Sequence, residues 1–143
     1  MSKKYIDASQ ENGKRFVMQQ HQGSVVMLNL LKFNPFAQYP AGHSKAPAAP
    51  ISGKEAYQIY IDHTLPFLQA TGAEVLYYGD SGHFLIGPEE ESWDAVLLVK
   101  HASVEVFLGF AQNQEYLAGV IHREAALEDS RLLPIYKGSL ENL

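Results

Sequence analysis

Val25-Val26-Met27-Leu28-Asn29-Leu30-Leu31-Lys32-Phe33 is an apolar run broken by one amide and one ammonium. With a period of two, Val25, Met27, Asn29, Leu31 and Phe33 share one face, and Val26, Leu28, Leu30 and Lys32 the other. A strand apolar on both faces needs cover on both sides, which places it inside a sheet rather than at a wet edge. Asn29 is the exception on its face. It is either hydrogen-bonded within a core or turned towards a cavity.

Outward from this strand, the chain supplies the remaining layers. Before it, residues 8–22 form a weak helical extension that Asp7 or Ser9 can cap and Gly23 can stop. After it, residues 34–51 carry four of the seven prolines, too many for a helix or an inner strand. Tyr39 and Phe36 make this insert a loop that packs on something. Ser52 followed by Glu55 reads as a capping box, opening a helix whose stripe is Ala56, Ile59, Tyr60, His63, Phe67 and Ala70, with a bend expected at Pro66. Residues 73–78 alternate as a strand, Gly79-Asp80-Ser81-Gly82 turns, and residues 83–87 return as a short partner strand. Residues 93–101 form a second strand apolar on both faces. Ser103 caps a further helix, a break falls near Asn113, and a second helical piece runs from 115 to about 127. The last strand is expected at 131–136, and Pro134 makes it an edge.

This order is βαββαβ, an α+β, ferredoxin-like antiparallel sheet with helices on one face. The strands at 25–33 and 93–101 are expected side by side in the middle. Their second apolar face calls for a second subunit laid against it, because soluble monomers rarely expose so large an apolar surface.

Composition bounds the function. The 143 residues fit a single domain 1–143, its core unit at about 24–138, and 46% hydrophobic and 11% aromatic content is that of a globular chain. Net charge is −5 and no basic run exceeds two residues, so no nucleic-acid partner is expected. Cysteine is absent, which removes disulfides, thiolate metal sites and a cysteine nucleophile. No membrane partner is expected, since no apolar run reaches spanning length and the first residues lack a signal-like apolar segment. A soluble cytoplasmic protein is the expectation.

The strand VVMLNLLKF, the helix KEAYQIYIDHTLPFL, the strand WDAVLLVKHAS, the segment from Phe107 to Gln114-Glu115-Tyr116, and the closing HREAALEDSR from His122 to Arg131 carry a resemblance. The chain resembles the bacterial domain-of-unknown-function family 1330 of the dimeric α/β-barrel superfamily, over roughly residues 24–138. The N-terminal segment and the proline-rich insert depart from it. The resemblance implies homodimers whose sheets pack face to face, with a pocket between sheet and helices. It implies no reaction, because that superfamily holds both enzymes and non-catalytic domains.

The residues that could carry chemistry are Asn29, Tyr57, Tyr60, His63, Trp93, His101, Arg123, Asp129 and Arg131. His63 shares the stripe of Ile59, Tyr60 and Phe67, so it is expected to face the sheet, either as a satisfied core residue or as the catalytic acid/base of a pocket. Asn29, Tyr60, Trp93 and Arg123 are the candidate ligand-binding shell around it. Arg123, Asp129 and Arg131 read as a structural ion-pair cluster or as a seat for a carboxylate. Histidines at 21, 43, 63, 83, 101 and 122 never stand at metal-ligand spacing, so no metal is expected. GxSxG, P-loop and GxGxxG motifs are absent, and no cofactor is expected.

Two functions follow. One is a small-molecule-binding homodimer, extending to a cofactor-free enzyme acting on an aromatic or carboxylate-bearing metabolite. The alternative is a non-catalytic structural or regulatory dimerisation domain. The residues alone do not decide whether the chain is an enzyme; a filled interior favours the second reading and an open pocket at His63 and Arg123 favours the first.

Overall fold

Burial alternates along residues 95–101 and most of 25–31, whereas 74–78 are exposed throughout. The computed structural model describes residues 3–143. Its elements are α1 (Gln10–Met18), β1 (Val25–Phe33), α2 (Gly53–Ala70), β2 (Glu74–Asp80), β3 (Ala95–His101), α3 (Val104–Ala111), α4 (Gln114–Leu117), α5 (Val120–Ala126) and β4 (Leu127–Ile135). The helix starts sit where cap residues place them. Ser9 accepts from the Asn12 N–H, Ser103 from Val106, and Ser52 with Glu55 closes the expected capping box. Asn113 caps α4 by accepting from Glu115 and Tyr116. α2 continues through Pro66 for 18 residues.

The sheet is antiparallel in the order β2-β3-β1-β4, so the two strands apolar on both faces are central neighbours. This is the ferredoxin-like topology expected from the element order. Residues directly opposite share a face. One face is closed by the chain itself: Val25, Met27 and Leu31 of β1 and Ala95, Leu97 and Val99 of β3 are buried, together with Ala56, Tyr57 and Tyr60 of α2 and Ala126 and Leu127 at the end of α5. A second, smaller cluster joins Val25, Met27 and Val104 to Phe16 of α1 and Phe107 of α3.

The other face has no comparable cover. The row Tyr77–Leu98–Leu28–Leu133 crosses all four strands, with Tyr77 66% and Leu133 57% exposed. The row beside it is Lys100–Val26–Ile135.

The proline-rich insert packs, as Tyr39 suggests. The Asn34 N–H donates to the Ala126 carbonyl, Gln38 N–H to Ala125, and Gly53 N–H to Asn34. A side chain at Gly53 would overlap the Asn34 and Ala126 backbones, so only glycine lets β1, the insert, α2 and α5 meet there.

Three local expectations are corrected. Residues 83–87 form no strand: His83 makes an isolated bridge with Ser92, because the edge of β2 that a return strand would pair with is taken by β3, up to Asp80 opposite Ala95. The last strand starts at Leu127, four residues earlier than expected, because Asp129 and Leu127 continue the pairing opposite Lys32 and Phe33 across a bulge. The N-terminal helix is limited to Gln10–Met18 rather than 8–22.

Candidate functional site

The expected shell separates into two groups and one isolated residue. The first group lies at the end of β4. Asp129, 9% exposed, accepts at Oδ1 from Tyr5 N–H (2.8 Å), Ser130 N–H (2.8 Å) and Arg131 Nη1 (2.7 Å). The Arg131 guanidinium lies over both the Tyr5 ring (4.7 Å) and the Trp93 ring (5.0 Å). Arg123 donates from Nη1 to the Ile6 carbonyl (2.8 Å) and from Nη2 to Ser130 Oγ (3.5 Å). Ser130 Oγ in turn donates to the Tyr5 carbonyl. The ion pair is therefore Asp129 with Arg131, while Arg123 holds backbone. Together they clasp the N-terminal segment to β4. Trp93, 3% exposed, donates its indole N–H to Glu91.

Burial pushes the Asp129 carboxyl up, but the Tyr5 and Ser130 N–H groups and the Arg131 guanidinium outweigh it, and its pKa is lowered. A carboxylate so saturated with donors acts as a fixed anchor.

The second group lies between α2 and α4. The Tyr60 and Tyr116 hydroxyls share a hydrogen bond of 2.8 Å, and the Tyr57 and Tyr60 rings pack 5.3 Å apart. Burial raises the Tyr57 and Tyr60 phenol pKa values, while the positive charge of Arg123 opposes the rise in both. His63 faces the neighbouring helix rather than the sheet: Nε2–H donates to the Glu115 carbonyl at 2.8 Å. A side chain at Gly119 would overlap the His63 ring, so that glycine sets how closely α2 and α5 approach. The α-helical stripe predicted the side of the helix but could not distinguish sheet from helix as the neighbour. Asn29 is apart from both groups; its Nδ2 donates to the Leu97 carbonyl (3.2 Å) across β1 and β3.

One pairing escaped the sequence reading. Tyr39 Oη lies 2.6 Å from His122 Nδ1, joining the insert to α5. Burial, then the charges of Lys45, His63 and His43, lower the His122 pKa, and burial raises that of Tyr39. Both are thus neutral near pH 7. Tyr39 also walls a hollow of about 260 Å³ formed with Ala37, Ala46, Pro47, Ala48, Ala49, Pro50 and Ile51. The aromatic residue inside a proline-rich insert was the available signal; its partner, 83 residues away, had none.

No family model matches the chain, and no curated protein does. Among solved structures, it matches the methylated RPA0582 protein at 32% identity and TM-score 0.85, over 97% of this chain and 98% of that one. The chain belongs to the family of the RPA0582 protein. A second structure of that protein, from Rhodopseudomonas palustris and described as of unknown function, matches at 32% identity and TM-score 0.85 over 96% and 100%. A dimeric ferredoxin-like protein of unknown function from Thermobifida fusca matches at 11% identity and TM-score 0.46, over 80% and 92%.

Proposed function

We propose that this member of the RPA0582 family, which we also assign to domain-of-unknown-function family 1330, works as a homodimer joined through its open sheet face. The supporting observation is the apolar row Tyr77–Leu98–Leu28–Leu133, continuous across the sheet and, at its two ends, exposed among the described residues. Its polar candidates already spend hydrogen bonds on internal partners, which favours a structural or regulatory dimerisation domain. Sedimentation equilibrium tests the reading. The wild type should be dimeric at low micromolar concentration, and Tyr77→Asp/Leu133→Asp, at two exposed positions, should weaken association about 100-fold, or about 2.7 kcal/mol, with its far-ultraviolet circular dichroism unchanged. A monomeric wild type overturns it.

The small-molecule reading rests on the Tyr39–His122 pair beside its hollow. A neutral imidazole bonded to a phenol can take the phenol's own proton as the phenol oxygen receives one from a ligand, which is acid/base chemistry without a cofactor. The walls of alanine and proline suit an apolar or aromatic body, and about 260 Å³ lies below the usual 300–1,000 Å³ of drug-sized pockets, so the ligand is small. Of the residues expected from the sequence, His63 bears on this site, since its charged form lowers the His122 pKa. A panel of small aromatic and carboxylate-bearing compounds should shift the melting temperature of the wild type, and Tyr39→Phe should abolish the shift while melting normally. An equal shift in both proteins sinks this reading.

A further inference from the structure

We propose that the segment between β2 and β3, residues 81–92, is an arm that docks on a second copy of this chain, its tip against Leu133 and Ile135 at the margin of the partner subunit's open face. The inference rests on the homodimer reading above. All ten residues from 81 to 90 are exposed, and the tip is apolar: Leu85 is 100% and Ile86 92% exposed, with Phe84 beside them. Two adjacent branched aliphatics standing fully in water are costly unless something covers them. The base of the arm is fixed by its own bonds, Ser81 N–H to the Asp94 carbonyl, Trp93 N–H to Gly82, and the Ser81 hydroxyl to the Trp93 carbonyl. It is a held projection rather than a loose end.

Area and charge both name the second copy as the occupant. Four strands about 4.8 Å apart, each contributing about seven residues at about 3.3 Å, offer roughly 400–450 Å² of face. A standard stable interface buries about 800 Å² of accessible surface per partner, and that flat footprint is a lower bound on what the sheet offers, to which the arm adds. The arm is continuous with that face: Val75, Leu76, Tyr77 and Tyr78 of β2 lead straight into it and are themselves exposed. Behind the tip stand Glu89 and Glu90, whereas Glu91 is engaged by the Trp93 indole. Lys100 occupies the same row as Ile135, with Glu74 opposite it on β2, and, like Lys32, makes no ion pair among the described residues. Seating the tip on Leu133 and Ile135 brings the two free carboxylates towards that ammonium.

Sedimentation equilibrium on the full chain compares wild type, Tyr77→Asp/Leu133→Asp and Leu85→Asp/Ile86→Asp. The arm variant should weaken dimerisation about 100-fold with unchanged circular dichroism. If the wild type is itself a monomer, the homodimer reading fails and the arm with it. If the sheet variant dissociates while the arm variant stays dimeric, the dimer stands and the arm proposal is overturned. Should the arm variant misfold, cross-linking decides. The chain has no cysteine, so a chain carrying Leu85→Cys mixed with one carrying Leu133→Cys reports only engineered contacts. A short bismaleimide should join the two into a species of doubled mass; failure to do so in a verified dimer overturns the docking.

Discussion

The two faces of β1 are about equally apolar and have opposite fates. On the helix side Val25, Met27 and Leu31 are 0%, 2% and 1% exposed. On the open side Val26, Leu28 and Leu30 are only partly buried, and the row they share with β2 and β4 ends in exposed Tyr77 and Leu133. The chain owns enough helix to cover one face. Equal hydrophobicity therefore reports that both sides need cover, and only the fold shows which cover is intramolecular. Substitutions on the two faces should consequently act on different equilibria.

Leu31→Ala breaks the comparison most severely. Leu31 is among the largest fully buried side chains, packed with Ala56, Tyr57 and Tyr60, so truncation removes transfer energy and leaves a cavity. The expected loss is about 2–5 kcal/mol in urea-monitored unfolding, measured at a protein concentration that keeps the association state fixed. Loss below 0.5 kcal/mol would mean that the helix side is not the tight face. Tyr77→Asp/Leu133→Asp is the mirror test, with an effect on association rather than on folding. If both substitutions lowered the melting temperature alike and left association untouched, the distinction between the faces would fail.

Most of the fold could be read from periodicity and caps. The alternation of residues 25–33 and 93–101 selected the inner strands, and Ser52, Ser103 and Asn113 marked breaks because their side chains take orphan N–H groups. Boundaries failed where two patterns overlap. Ala125-Ala126-Leu127 suits a helix and a buried strand equally, and the pairing of β4 with β1 settled it. The site was less legible, because its partners are distant in sequence. The stripe reading put His63 on the inner side of its helix but not against Glu115, and the Arg123, Asp129, Arg131 cluster could not reveal that its third party is the backbone of Tyr5 and Ile6. The hydrogen bonds that tie Tyr5 and Ile6 to this cluster are made by their backbone, which carries no residue-specific signal.

That clasp gives the smallest and most diagnostic effect, because it belongs to neither face. Asp129→Asn keeps the shape and one acceptor oxygen but removes the charge that Tyr5 N–H, Ser130 N–H and Arg131 share. The expected loss at pH 7 is about 1–3 kcal/mol. The pH dependence follows from the lowered pKa. A carboxylate whose pKa is depressed on folding stabilises the native state fully above its unfolded value of about 3.9, and this contribution disappears as pH falls through the lower, folded value. Wild type and variant should therefore differ by a constant amount from about pH 7 to pH 5 and converge below about pH 4. Amide exchange at Tyr5 should quicken in the variant while exchange in β1 and β3 lags behind, since the clasp opens locally before the sheet does. A stability gap that stays constant down to pH 3 would mean that Asp129 contributes shape rather than charge.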